Sequence, residues 1–161
     1  MNLEWIFALE FAIGVLVGLR SMTAPAAICW AAHLKWINIS DSHLAFMGST
    51  PAVYVFSAFA VGELILDKMP FMQRRTRLSP LVSRIVLGSL CGIALAMATN
   101  DFDVAGALLG AGGAVAGTFG AYKIRRRLVK RFKIPDWIVA LLEDGIAVAG
   151  SVWVVGHLNL G

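Results

Sequence analysis

Charged residues are scarce in this sequence. Only 15% of its 161 residues are Asp, Glu, Lys or Arg, whereas 58% are hydrophobic. Soluble domains carry about 25% charged and roughly 45–50% apolar residues. A chain of this length has too high a surface-to-volume ratio to hide such an excess inside one soluble core. The composition therefore predicts an integral membrane protein, organised as a single transmembrane domain over residues 1–161.

Cysteine, histidine and recognisable reaction motifs are also rare. Cys29 and Cys91 both lie inside apolar runs, and the sequence has no CxxC or Cys/His ligand spacing. We therefore predict no metal, no cofactor and no disulfide framework. His33, His43 and His157 fall near span ends, away from the acidic residues, and no Ser–His spacing typical of a hydrolase accompanies them. We expect a protein that is not an enzyme.

The first ten residues, MNLEWIFALE, lack the basic segment of a signal peptide, so we expect the first apolar run to be kept as a helix. A membrane-spanning helix needs about 20 mainly apolar residues. Five runs qualify, and together they predict an all-α bundle of five transmembrane helices: Trp5 to Ala32, Pro51 to Leu66, Leu81 to Ala98, Val104 to Tyr122 and Trp137 to Val155. Pro25 predicts a kink or a break in the long first helix.

The basic residues are concentrated in two places. Of the 14 Lys and Arg, twelve fall in two predicted loops: Lys68, Arg74, Arg75, Arg77 and Arg84, then Lys123, Arg125, Arg126, Arg127, Lys130, Arg131 and Lys133. Such loops mark the cytoplasmic side. With five spans, the N-terminus is then predicted inside and the C-terminus outside, in a multi-pass membrane protein. We expect these loops to lie near anionic lipid headgroups and not to bind nucleic acid.

A few charges lie within the predicted spans, where each costs at least about 2.5–3.5 kcal/mol and commonly marks function. Helical rise places Glu10, Glu63 and Glu143 at a similar depth, with Arg20 further along the first span. Proline, serine and threonine near Arg20 could supply a broken helix that lines a cavity. The candidate solute- or ion-binding residues are Arg20, Ser21, Thr23, Pro25, Glu63, Asp67, Glu143 and Asp144.

Glycine is abundant and has a helix-packing spacing. GxxxG pairs let helix backbones approach closely. The predicted helix-packing residues are Gly14, Gly18, Gly106, Gly110, Gly113 and Gly117. A GxxxG span followed by an acid-bearing span occurs twice, which hints at an inverted repeat. Because five helices barely enclose a cavity, we expect a homo-oligomer, most simply a dimer.

Four segments carry a family resemblance: GLRSMTAPAA, GELILDKMP, GALLGAGGAVAGTFGAYKIRRRL and ALLEDGIAVAG. They resemble a group of small bacterial inner-membrane proteins catalogued as a domain of unknown function. The resemblance covers most of the chain and implies the membrane architecture. It draws attention to six residues, Arg20, Pro25, Glu63, Asp67, Glu143 and Asp144, and it implies no activity.

Two functions from different classes fit these observations. The first is a small transporter or channel-like protein that moves a small solute or ion, with or without proton coupling, through the Arg/carboxylate cluster. The second is a non-transport membrane module, a lipid-binding or complex-assembly subunit whose buried charges are structural. Paired carboxylates in a dry cluster would favour the second.

Overall fold

The structure, a computed structural model, describes residues 2–40, 42–66, 78–99, 103–131 and 135–159. Over these residues the chain is helical and contains no strand, which confirms the predicted all-α class. A short 3₁₀ helix, Ala45–Gly48, precedes the third α-helix. The described residues form six α-helices: α1 (Leu3–Leu19), α2 (Thr23–His33), α3 (Thr50–Leu66), α4 (Leu78–Thr99), α5 (Asp103–Arg131) and α6 (Asp136–Asn159).

The helices have the length and surface of membrane helices. Among the described residues, three are long and apolar enough to cross a membrane, over 80–99, 103–131 and 137–158, and α3 adds a shorter apolar helix. Their outer faces stay apolar: Leu108 is 69% exposed, Phe59 58% and Trp153 52%. A water-facing helix would place polar side chains there. The fold therefore indicates a membrane protein.

The first apolar run forms two helices and not one kinked span. α1 ends at Leu19, Arg20 has extended backbone (φ −138°, ψ 117°), and α2 begins at Thr23. Of the two outcomes predicted near Pro25, a kink or a break, the helix is broken, but the break lies a few residues before the proline. Pro25 is the third residue of α2, in the first helical turn, where a proline takes no hydrogen bond from the helix. The proline starts a helix, and the break lies at residues 20–22.

After this break the chain reverses direction. Ser21, at the start of α2, contacts Arg84 near the start of α4. Further along both helices, Cys29 lies beside Cys91. The second contact lies later in the chain than the first on both helices, so α2 runs parallel to α4. The break therefore turns α2 back along the bundle, antiparallel to α1.

Glycines hold α5 close to α4. Gly106 and Gly110 of α5 pack against Gly92 and Gly88 of α4, in antiparallel order. A Cβ atom added to Gly106 would stand 2.6 Å from the carbonyl oxygen of Gly92. No residue larger than glycine fits at this separation without moving a backbone, as expected for GxxxG contacts.

A second set of glycines holds α5 against α1. Gly14 meets the backbone of Gly110, whereas Gly18 meets that of Gly117. Residue numbers therefore increase in the same direction along both helices, so α1 and α5 run parallel. Gly113 also lies on the side of α5 that faces α1, where it contacts the backbone of Phe11. All six predicted packing glycines thus lie in contacts within one chain.

These directions place the start of α1 and the end of α6 at one end of the bundle. We call the other end the basic end: it contains Leu19, Leu66, Leu78, Arg131 and Asp136. The structure does not support five spans with the N-terminus beside the basic loops, because the reversal after α1 adds one change of direction. It also does not support the inverted repeat, which needs α1 and α5 to run in opposite directions.

The segment after α2 packs into the end opposite the basic end. Lys35 has a left-handed backbone (φ 59°), and the N–H of Trp36 donates to the carbonyl of Ala31 at 2.8 Å, so the last turn of α2 is capped. Ile37 and Met47 follow in the chain and are buried in the main apolar cluster. This cap and the apolar contacts fix the length of α2.

We predict that Gly110→Ala destabilises the bundle, because the new Cβ would overlap the carbonyl oxygen of Gly88. The expected loss is about 1–3 kcal/mol, the usual cost of overpacking. Gly62→Ala is the matched control, since nothing lies within 4 Å of its Cβ position. Thermal unfolding in detergent can be followed with a thiol-reactive dye, because Cys29 and Cys91 are both buried. Equal midpoints for the two variants would contradict the packing described above.

Candidate functional site

The break between α1 and α2, residues 20–22, is the centre of the candidate site. A helix that stops leaves its last carbonyl groups without partners, and the next helix leaves its first N–H groups without partners. In an apolar bundle, each unsatisfied group costs several kcal/mol. Arg20 is fully buried, and Ser21 and Met22 are half-buried, so little of this backbone faces the outside of the bundle. Side chains of other helices supply its hydrogen bonds.

Glu63 supplies the acceptors. Its Oε1 accepts a hydrogen bond from the backbone N–H of Ser21 at 2.9 Å, and its Oε2 accepts one from that of Met22 at 2.8 Å. Glu63 lies in the last turn of α3, so the contact joins α3 to the start of α2. A carboxylate at a helix N-terminus is stabilised by charge-assisted hydrogen bonds and by the helix dipole.

Arg84 and Thr118 supply donors on the other side of the break. The Nη1 of Arg84 donates to the carbonyl oxygen of Gly18 at 2.9 Å, and its Nε donates to the hydroxyl of Ser21 at 3.2 Å. The hydroxyl of Thr118 lies 3.3 Å from the same Gly18 oxygen and 2.8 Å from that of Ala114. The C-terminal end of α1 is thus bonded by α4 and α5.

Arg20 forms a buried ion pair with Asp144 of α6, through Nη2 and Oδ1. The side chain of Arg20 is 0% exposed and that of Asp144 is 12% exposed. Breaking such a pair leaves an uncompensated buried charge. Six residues later in α6, Gly150 contacts Leu16, which comes before Arg20 in the chain, so α6 runs antiparallel to α1. The pair fixes α6 to the end of α1.

Glu143 and its neighbour Asp144 have different partners. One of its carboxylate oxygens, Oε2, lies 3.6 Å from Nη1 of Arg125 on α5. Successive residues of a helix point about 100° apart, which explains why adjacent acids contact different partners. Glu143 therefore lies beside the break and not in it.

The predicted set is only partly gathered at the break. Arg20, Ser21, Glu63 and Asp144 meet there, with Asp144 eight residues, or about 12 Å, from the start of α6. Thr23 and Pro25 are buried in the first turn of α2. Asp67 lies outside the described residues. Glu63, Glu143 and Asp144 all have partners in the structure.

Glu10 lies away from the cluster. It is fully buried in α1, ten residues before Arg20 and therefore about 15 Å away along the helix axis. The predicted common depth of Glu10 and Glu63 is wrong, because α1 runs towards the basic end and not away from it. Glu10 consequently lies nearer the end that carries the termini.

Sequence reasoning did not select Arg84 and Thr118, which complete the site. Arg84 was counted with the loop cations, yet it is only 4% exposed. A usable signal was its spacing: Arg84 stands four residues before Gly88 on the glycine face of α4. In the same way, Thr118 continues the face of α5 that begins with Gly106 and Gly110. A polar residue in register with a glycine stripe lies at a close helix contact.

The arrangement gathers hydrogen-bond donors around one carboxylate. The backbone N–H groups of Ser21 and Met22, at the start of α2, both point at the Glu63 carboxylate, while Arg84 bonds the neighbouring hydroxyl of Ser21. Helix N-termini with free N–H groups are ready-made sites for carboxylate or phosphate groups. Here an internal carboxylate occupies that position.

The fold and this site define an all-helical membrane protein whose first helix is interrupted at a buried, charged break. The chain belongs to the family described as domain of unknown function DUF4126, whose family model matches residues 7–158. The match covers the break and every helix that contacts it, and it confirms the resemblance seen in the sequence. No curated protein and no solved structure matches the chain.

We predict that Asp144→Asn destabilises the protein by about 3–5 kcal/mol, because Arg20 would remain charged and buried without its anionic partner. Asp103→Asn, at the exposed start of α5, is the control and should cost less than about 1 kcal/mol. The double variant Arg20→Met/Asp144→Leu should recover most of the loss, since it removes both charges. Additive losses in thermal unfolding would show that the two residues do not act as a pair.

Proposed function

We propose that the protein is a small membrane transporter in which the α1–α2 break is the solute site. The observation that supports this is the Glu63 carboxylate on the N–H groups of Ser21 and Met22, in a half-buried position beside the buried Arg20. Transporters use interrupted helices in this way, because the free N–H groups at the start of a half-helix bind anionic groups of the substrate.

The chemistry of the site favours a small anionic solute, such as one with a carboxylate. Glu63 already shows that a carboxylate fits against the N–H groups at the start of α2. A solute anion could take the same hydrogen bonds once Glu63 is protonated and has lost its charge. Each anion bound would then be accompanied by one proton on Glu63. Proton coupling follows from this exchange without any further group.

The ion pair of Arg20 and Asp144 has a different role in this proposal. It fixes α6 to α1 on the far side of the break and so forms a rigid frame. α2 is only 11 residues long and packs against α3, where Trp30 donates a hydrogen bond to Ser57 at 3.0 Å. Movement of α2 with α3 against this frame would open and close the site.

The basic end is proposed to face the cytoplasm of a bacterial inner membrane, in line with the positive-inside rule. Both termini of this multi-pass chain would then lie outside, because α1 runs towards the basic end. A homodimer stays a prediction, although the GxxxG faces no longer argue for it, since they are used within the chain.

A non-transport membrane module is the second candidate. The observation in its favour is that the acidic side chains inside the bundle have partners: Glu10, Glu63, Glu143 and Asp144 each take part in an interaction. In such a protein the charges would only lock the helices together. Substitutions would then change stability without changing any flux.

Labelling of single added cysteines tests the orientation. Glu4→Cys at the start of α1 should react with a membrane-impermeant maleimide in intact cells, because Glu4 is exposed. Arg127→Cys in the last turns of α5 should react only after the cells are opened. The native Cys29 and Cys91 are buried and give a low background. Labelling of both positions from the same side would contradict the parallel arrangement of α1 and α5.

Flux in proteoliposomes tests the function. With a pH-sensitive dye inside, a gradient of an impermeant dicarboxylate should acidify the lumen when wild-type protein is present. Glu63→Gln should abolish this signal while the protein stays folded, because the site can no longer exchange a proton. Ser57→Ala is the matched control on α3, since it removes only the bond to Trp30.

Two outcomes separate the candidates. A Glu63→Gln protein that carries dicarboxylate and protons like the wild type would refute the role of Glu63. A wild-type protein without flux for a panel of dicarboxylates and phosphate, combined with a lower unfolding midpoint for Glu63→Gln, would favour the non-transport module.

A further inference from the structure

A groove separate from the break lies between the end of α1, α5 and the first turns of α6. It encloses about 370 Å³, which is within the range of roughly 300–1,000 Å³ found for ligand pockets. We call it the α5/α6 groove, and its wall is built from aliphatic side chains and glycine: Val15, Leu19, Gly120, Ile124, Leu142 and Ile146. Ile124 and Leu142 are 58% and 57% exposed, so the groove opens to the outside of the bundle.

Glycine keeps this groove open. Nothing lies within 4 Å of the position that a Cβ of Gly120 would take, whereas Gly117, one turn earlier, is pressed against the backbone of Val15. α5 is therefore in close contact with α1 on one side of this turn and borders empty space on the other. α6 does not fill the space, because its contacts with Arg20 and Leu16 hold it against α1.

The groove leads into a cationic hollow. Arg125 lines the groove and also a second hollow of about 200 Å³, which Tyr122, Arg126 and Lys130 border as well. Among the described residues that line the two spaces, Glu143 is the one acid, and it lies 3.6 Å from Arg125. The cations therefore outnumber the acid, and the polar end of the groove is complementary to an anion.

The hollow also lies at the level of lipid headgroups. α5 has 29 residues and is about 43 Å long at 1.5 Å per residue. The hydrocarbon core of a bilayer is about 30 Å thick, so one end of α5 must extend into the headgroup region. Its final turns carry the basic residues and are the end that can do so.

We propose that the α5/α6 groove binds one anionic phospholipid. An acyl chain lies along the aliphatic wall beside Gly120, and the phosphate lies in the hollow against Arg126 and Lys130. A neutral lipid would place an acyl chain in the groove but would bring no net negative charge to the hollow. A helix from a second copy of the chain would also leave the hollow without an anion. This lipid site does not depend on the proposed transport of solutes through the break.

Native mass spectrometry of protein taken from vesicles of phosphatidylglycerol and phosphatidylcholine tests this proposal. The wild type should retain one phosphatidylglycerol per chain in preference to phosphatidylcholine. Arg126→Gln/Lys130→Gln should weaken that retention by roughly 30-fold, the combined effect of two basic residues near an anionic lipid. Gly120→Leu should abolish it, because the side chain fills the groove.

Two controls and three outcomes decide the matter. In Gly156→Leu the new side chain also occupies open space, but near the opposite end of α6. Lys35→Gln removes an exposed charge far from the groove. Both variants should retain the lipid. Equal retention of the two lipids would overturn the proposal, as would unchanged binding by Gly120→Leu. A dimer that forms in place of lipid binding, and that Gly120→Leu disrupts, would show that a second copy occupies the groove.

Discussion

Backbone hydrogen bonds at the α1–α2 break constrain the basic end of this protein. The chain turns back inside an apolar bundle, so the carbonyl of Gly18 and the N–H groups of Ser21 and Met22 lose their helical partners. α3 replaces two of these bonds through Glu63, whereas α4 and α5 each contribute one side chain to the carbonyl of Gly18. Because a polar group shielded from water is costly to leave unsatisfied, the positions of α3, α4 and α5 are coupled to the break through three backbone residues. A shift of any one helix changes the bonding of the break.

The glycine contacts are what make this coupling possible. Arg84 reaches Gly18 because α4 approaches α5 at Gly88, four residues further along the same face of α4. Thr118 reaches it because α5 approaches α1 with no side chain between the backbones. A side chain at these positions would separate the helices and lengthen the hydrogen bonds to the break. Close packing and the charged site are therefore two parts of one arrangement.

Composition, glycine spacing and buried charge were sufficient to predict a helical membrane bundle, its helix-packing glycines, and Arg20 and Asp144 as unusual residues. The reversal was not predictable from hydropathy, because apolar residues continue through Arg20 and α2 is too short to stand out as a span. Pro25 did not show where the break lies, because a proline can interrupt a helix or occupy its first turn. The predicted orientation of the N-terminal helix is therefore not supported. The additional reversal places the start of α1 at the end of the bundle opposite the basic end. Arg84 was grouped with loop cations because its burial depends on contacts between helices that sequence position does not reveal.

The pairing of the acids changes the argument for function. Charges without partners would have required a proton or a cation, but the structure gives each buried carboxylate a partner. These partners are not equivalent, however. Asp144 is matched by a full opposite charge, whereas Glu63 is held by two backbone N–H groups, which are dipoles. Replacing Glu63 by another anion leaves the balance of the Arg20–Asp144 pair unchanged and restores the same hydrogen bonds. In the transport proposal, Glu63 is therefore the acid that we expect a ligand to displace, whereas in a structural lock the same two hydrogen bonds would only cap the start of α2.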